Sequence, residues 1–166
     1  GNPLADAEGN PLKENDSNVT FNNSYNPQQG TSATISGTKI LTGRKLSAGE
    51  FSFELYHVDG GNRVLVDTVT NGEDGSLSFT RNYPANILGG QDSRVVEYII
   101  REVNNRLGGV EYDTREFSVT VTIVDNKDGT LSADVVYNGL TDGQTVPTFS
   151  NTYDAQDTNY APVAKK

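Results

Sequence analysis

The sequence predicts an all-β chain in which two antiparallel sheets pack as a sandwich. Three observations carry this. Short runs rich in Val, Ile, Thr, Tyr and Phe recur at even spacing, with apolar and polar residues alternating. Turns rich in Gly, Asn and Asp separate these runs. No segment sustains the apolar period of a long helix. At 166 residues the chain is long enough for one ordinary domain with a real core.

The elements follow in order. Residues 1–17 are rich in Gly, Asn, Pro and Asp and read as a polar tail. Strands are expected at 33–41, 50–58, 63–70, 75–80, 94–103, 114–125, 131–138 and 146–153. Side chains alternate between faces along a strand. The first strand therefore aligns Ala33, Ile35, Gly37, Lys39 and Leu41 on its inner face. The second turns Phe51, Phe53 and Leu55 inward and Ser52 and Glu54 to water. Asp59-Gly60-Gly61-Asn62 leads to the third, and Glu73-Asp74-Gly75 to the fourth. Residues 84–92, with Pro84 and Gly89-Gly90, read as a loop or a single helical turn.

In the fifth strand Val96, Tyr98, Ile100 and Glu102 share a face, although Ile99 and Val103 are apolar on the other. Gly108-Gly109 precedes the sixth, where Phe117, Val119, Val121 and Ile123 face the core. Asn126-Lys127-Asp128-Gly129 turns it into the seventh. The last strand aligns Phe149, Asn151 and Tyr153.

Thus Lys39, Glu102 and Asn151 each occupy a place where an apolar residue belongs. Taken singly they have ordinary explanations. A lysine near a strand end snorkels to water, an asparagine caps backbone at a sheet edge, and a glutamate pairs with an arginine. Buried together, an amine, an acid and a carboxamide are the ingredients of an amide cross-link. Burial favours the neutral forms, lowering a lysine pKa and raising a glutamic acid pKa by up to ~3–5 units. A neutral Lys39 amine can attack the Asn151 side-chain carbonyl carbon. A protonated Glu102 is expected to polarise that carbonyl and carry protons to the departing ammonia.

Composition excludes several alternatives. The 13 basic and 22 acidic side chains give a formal charge of −9, which argues against nucleic acid or anionic lipid as a partner. There is no Cys, so no disulfide framework and no thiolate metal site is expected. No run is long and apolar enough to insert in a membrane. No cofactor or metal is expected. Glu73-Asp74-Gly75 and Asp125-Asn126-Lys127-Asp128-Gly129 lack calcium-loop spacing and serve as hairpin turns. His57, beside Asp59, is the single histidine and reads as a surface residue. Gly43-Arg44-Lys45 reads as a solvated turn. Asn18-Val19-Thr20 and Asn22-Asn23-Ser24 match glycosylation sequons and carry little weight.

Val19-Thr20-Phe21-Asn22-Asn23-Ser24-Tyr25 resembles Pro147-Thr148-Phe149-Ser150-Asn151-Thr152-Tyr153. This is the mark of a tandem repeat. Residues 1–30 are expected to hold a polar tail and the remnant of a preceding repeat's last strand. Residues 31–154 form the sandwich, and 155–166 link to a following repeat. Asn23 then corresponds to Asn151 of the earlier copy. No leader or sorting signal is visible, so a piece of a longer chain is expected.

Several motifs in collinear order resemble a known family. Thr38-Lys39-Ile40-Leu41-Thr42-Gly43-Arg44 is followed by Ala48-Gly49-Glu50-Phe51-Ser52-Phe53-Glu54-Leu55. Then come Glu97-Tyr98-Ile99-Ile100-Arg101-Glu102-Val103, Val110-Glu111-Tyr112-Asp113-Thr114 and Val119-Thr120-Val121-Thr122. Asp125 through Leu131 and Phe149-Ser150-Asn151-Thr152-Tyr153 complete the set. Over residues 33–154 the chain resembles the streptococcal pilin isopeptide linkage domain, which is itself similar to the B-type repeats of collagen adhesins. The family often has an aromatic residue at the Val96 position.

The resemblance implies an Ig-like sandwich of the collagen-adhesin B type. It implies a Lys39–Asn151 isopeptide bond promoted by Glu102, the residues that strand alternation selects. It further implies a structural stalk or shaft repeat of a Gram-positive adhesin or pilin, outside the cell and anchored through its parent to the cell wall. Neighbouring repeats of the same chain are the expected partners, and the isolated piece is expected to be monomeric. The only chemistry expected is one self-catalysed turnover, so the chain is not an enzyme. The alternative is an adhesin domain that recognises a host protein or glycan, using loops such as 81–93 or 104–109.

Overall fold

A computed structural model of the chain describes residues 25–155. The polar stretch 1–17, both sequons, the repeat copy around Asn23 and residues 156–166 lie outside the described residues. Among the described residues nine strands are formed: β1 (Thr31–Thr42), β2 (Ser52–Asp59), β3 (Asn62–Thr70), β4 (Ser76–Tyr83), β5 (Ser93–Glu102), β6 (Val110–Glu111), β7 (Glu116–Asp125), β8 (Leu131–Asn138) and β9 (Thr148–Tyr153). They make a four-stranded sheet, β4-β1-β9-β6, and a five-stranded sheet, β3-β2-β5-β7-β8. No described residue is helical. The segment 84–92 is a set of turns, opened by the Ile87 N–H donating to the Pro84 carbonyl at 3.0 Å.

Three features depart from the sequence reading. The Glu73-Asp74-Gly75 turn, expected in a hairpin, instead carries the chain from β3 in one sheet to β4 in the other. The two-residue β6 is not among the expected strands, because so short a strand has no periodicity to detect. The pairing is also not antiparallel throughout, since β1 and β9 run parallel from Thr38↔Thr148 to Thr42↔Thr152. A parallel pair needs a long crossover, and here the whole intervening domain supplies it. The hairpins β2–β3 and β7–β8 need only their turns.

The core lies between the inner faces of the two sheets. Ile35, Phe51, Phe53, Leu55, Phe79, Ile100, Val121, Ile123 and Phe149 are fully buried. Phe149 of β9 meets Phe53 of β2 and Phe117 of β7, with ring centroids 5.1 Å away in each case. This aromatic contact ties the last strand of the domain to the opposite sheet.

One sheet edge is completed by a side chain. β9 pairs with β1 only from Thr38 onward, leaving the Ser36 N–H without a strand partner on that side. Tyr137 of β8 reaches across and accepts this N–H at its hydroxyl, 2.7 Å away. Leaving a half-buried donor unsatisfied costs about 1–3 kcal/mol. Tyr137→Phe is therefore expected to destabilise the domain by about that amount, read as a shifted denaturation midpoint with an unchanged m-value.

Candidate functional site

The site draws two adjacent strands from one sheet and one strand from the other. β1 is an inner strand of its sheet, and its alternation buries Ala33, Ile35, Gly37 and Lys39 in succession. β9 lies beside it and presents Phe149 and Asn151 to the same interior. Lys39 is in register with Phe149 and Leu41 with Asn151, so the lysine and the asparagine are diagonal neighbours on one face. β5 is an inner strand of the opposite sheet and ends at the inward-facing Glu102. Lys39, Glu102 and Asn151 are 2 %, 8 % and 1 % exposed, so all three are removed from water.

The three side chains meet on one carboxylate. Lys39 Nζ stands 2.8 Å from Glu102 Oε1 and 3.0 Å from Oε2. Asn151 Nδ2 donates to Oε1 at 2.7 Å. The Phe51 ring covers the amine, with its centroid 4.6 Å from Nζ. Burial lowers the Lys39 pKa, against the opposing pull of Glu102. Burial likewise raises the Glu102 pKa, against Lys39 and Asn151. Both shifts favour a neutral amine beside a neutral acid, the state in which the amine is a nucleophile.

The Asn151 carbonyl is held differently from the sequence expectation, which has Glu102 polarising it. Asn151 Oδ1 instead accepts the backbone N–H of Asp113 at 2.8 Å. Glu102 lies on the nitrogen side of the amide, beside the amine and the group that would leave.

Asp113 and Arg115 have no assigned role in the sequence reading. The Asp113 carboxylate accepts the Ser150 N–H at 2.9 Å and the Arg115 backbone N–H at 3.0 Å. The Arg115 guanidinium forks onto it, with Nη2 at 2.6 Å from Oδ2, and donates to the Thr148 carbonyl at 2.7 Å. Burial raises the Asp113 pKa, but Arg115 and the two backbone donors outweigh it and hold the carboxyl below its ordinary range. An Asp two residues before an Arg at the start of a strand is a visible signal, but its partner on β9 is distant in sequence.

Local backbone requirements frame the site. Gly75 has φ +83°, and its carbonyl accepts the Lys39 N–H at 2.7 Å. A Cβ there would stand 2.2 Å from the Lys39 carbonyl oxygen, so only glycine allows this approach. Asn71, itself buried, accepts the Phe51 N–H at 2.8 Å and fixes the residue that covers the amine. Arg44, in the expected solvated turn, pairs with Glu50 and lies over the Tyr153 ring at 4.7 Å.

The remaining candidates have structural roles. Asp74 accepts both the N–H and the hydroxyl of Ser76, and Asp128 does the same for Thr130. Each carboxylate thus closes its own turn. Among the described residues, no group of three or more His, Asp or Glu side chains is placed to hold a metal. His57 lies at the surface and is partly covered, its ring 5.7 Å from that of Tyr98.

Comparison with known proteins adds a family match. Residues 35–154 match FctA, the Spy0128-like isopeptide containing domain. No curated protein matches the sequence significantly. Among solved structures, the major pilin from Streptococcus pyogenes is similar at 19 % identity and a TM-score of 0.43, over 75 % of this chain and 51 % of that one. The T3.2 major pilin from Streptococcus pyogenes gives 13 % identity and a TM-score of 0.44, over 75 % and 53 % of the two chains. A mutant of the shaft pilin SpaA from Lactobacillus rhamnosus GG gives 16 % and 0.39, over 75 % and 49 %. The chain spans about half the length of these pilins.

Proposed function

Because the chain belongs to the FctA family of Spy0128-like isopeptide containing domains, we propose that it is a load-bearing module that closes its own Lys39–Asn151 amide. The observation that carries this reading is the single buried carboxylate of Glu102 shared by the Lys39 amine and the Asn151 amide. Neutral Lys39 Nζ attacks Asn151 Cγ, Glu102 takes the proton released from the amine and returns one to Nδ2, and ammonia leaves. Holding the partners on fixed strands supplies about 7–11 kcal/mol of the barrier. The reaction happens once per chain, so the domain has no turnover.

The topology supports a mechanical role. β1 enters the domain and β9 leaves it, and they are adjacent and parallel. A pull on the two ends loads this pair in shear along the strands, straining its hydrogen bonds together. An amide between Lys39 and Asn151 carries the load directly from β1 to β9 and leaves the residues between them unloaded. Residues 31–154 are the module, with 1–30 and 155–166 as its joins to neighbouring domains. The setting we assign is the shaft or stalk of a pilus or adhesin on a Gram-positive cell surface, with neighbouring repeats or pilin subunits as partners.

Single-molecule pulling from the two termini tests this reading. Without the bond, about 110 residues between Lys39 and Asn151 extend by on the order of 400 Å. The parent chain is expected to release none of that length, and Glu102→Ala all of it. Release of the full length by the parent overturns the load-bearing role.

A further inference from the structure

We propose that the backbone N–H of Asp113 is the oxyanion donor for this cross-linking reaction, and that the Asp113–Arg115 pair positions it. The inference rests on the self-cross-linking reading above and adds the group that stabilises its transition state. The reaction places negative charge on Asn151 Oδ1. As Nζ bonds to Cγ, the carbonyl π pair moves onto that oxygen. When the intermediate collapses, the pair returns, the Cγ–Nδ2 bond breaks and ammonia departs with the proton from Glu102. Glu102 manages the nitrogen atoms, since its oxygens lie against Nζ and Nδ2. It leaves the carbonyl oxygen to another donor.

Asp113 N–H occupies that place, 2.8 Å from Oδ1. Its contact strengthens as the oxygen becomes an alkoxide, because a hydrogen bond to an ionised acceptor is about twice as strong as a neutral one. The donor is preorganised. The Asp113 side chain takes the Ser150 N–H, one residue before Asn151, while the Asp113 main chain holds the Asn151 side chain. Arg115 extends the same stitching to the Thr148 carbonyl. The donor and the reacting amide therefore ride on one rigid unit spanning the loop before β7 and the strand β9. Arg115 has a second task. The buried Asp113 carboxylate lies close to a developing anion, and the guanidinium offsets its charge.

A chain assembled by chemical ligation and folded from denaturant begins uncross-linked, so the rate of ammonia loss is read by time-resolved intact mass. L-Malic acid at position 113 replaces the N–H by an ester oxygen and keeps the carboxylate with its clamp. The ester chain is expected to fold and to cross-link about 10²–10³-fold more slowly than the all-amide chain. Arg115→Gln, which retains the Asp113 N–H but removes the guanidinium clamp that positions it, is expected to slow the step by about tenfold. If the ester chain reacts within threefold of the all-amide chain, Asp113 N–H is not the donor, and the cross-link itself stands. Should the ester chain fail to fold, parent-like kinetics in folded Arg115→Gln overturn the positioning role. If the all-amide chain never loses ammonia, the cross-linking reading fails with it.

Discussion

The double substitution Lys39→Met, Glu102→Gln is expected to lower the unfolding free energy by about 4–5 kcal/mol. The sign makes this informative. Replacing a buried ion pair with neutral side chains of similar volume is often neutral or stabilising by about 1–4 kcal/mol. If Lys39 and Glu102 only form a pair, the variant should match or exceed the parent. A covalent link between Lys39 and Asn151 changes the outcome. It closes a loop of about 110 residues, which restricts the unfolded chain by close to 5 kcal/mol. After Glu102→Gln, the new amide oxygen can still accept the Asn151 Nδ2 hydrogen bond, now made to Glu102 at 2.7 Å, so little polar contact is lost. Equilibrium denaturation of both chains decides between the two signs.

Phe149→Ala is the second large effect, with an expected cost of about 3–5 kcal/mol. Phe149 is fully buried and meets Phe53 and Phe117 at 5.1 Å. It also stands beside Lys39 in the parallel register, two residues from Asn151. Its loss opens a cavity beneath the strand that carries the reacting amide, so cross-linking should slow as stability falls. Ile40→Ala is the control. Ile40 is on β1 next to Lys39 but 44 % exposed, and a change there should stay within about 0.5 kcal/mol. Equal effects from the two substitutions would show that β9 is not anchored through Phe149.

The parts of the fold that are legible in the sequence are those written with local period. Alternation places Lys39, Glu102 and Asn151 indoors because each sits in a run whose neighbours two residues away are apolar. The turns at Asp74 and Asp128 are legible for the same reason, since each carboxylate closes its turn with a partner two residues on, although only the second joins a hairpin.

What escapes detection depends on distant pairing. The parallel β1–β9 register joins the two ends of the sandwich and leaves no mark on either strand. The Asp113–Arg115 clamp acts on Ser150 and Thr148, far along the chain. His57 reads as a surface residue and is one, but the cover that Tyr98 of the neighbouring β5 gives it is not visible in the sequence. The carbonyl role that the sequence suggests for Glu102 depends on the orientation of one amide. The Asp113 N–H, a donor, sets that orientation by requiring the oxygen.

The most direct test of the Lys39–Asn151 bond is the intact mass of the purified chain, followed by sequencing of its tryptic peptides. The account predicts a mass roughly 17 Da below that of the sequence, no tryptic cleavage after Lys39, and one branched peptide joining the segments that contain Lys39 and Asn151. A full mass with ordinary cleavage after Lys39 would contradict it, leaving the triad as a buried ion pair with a hydrogen-bonded amide.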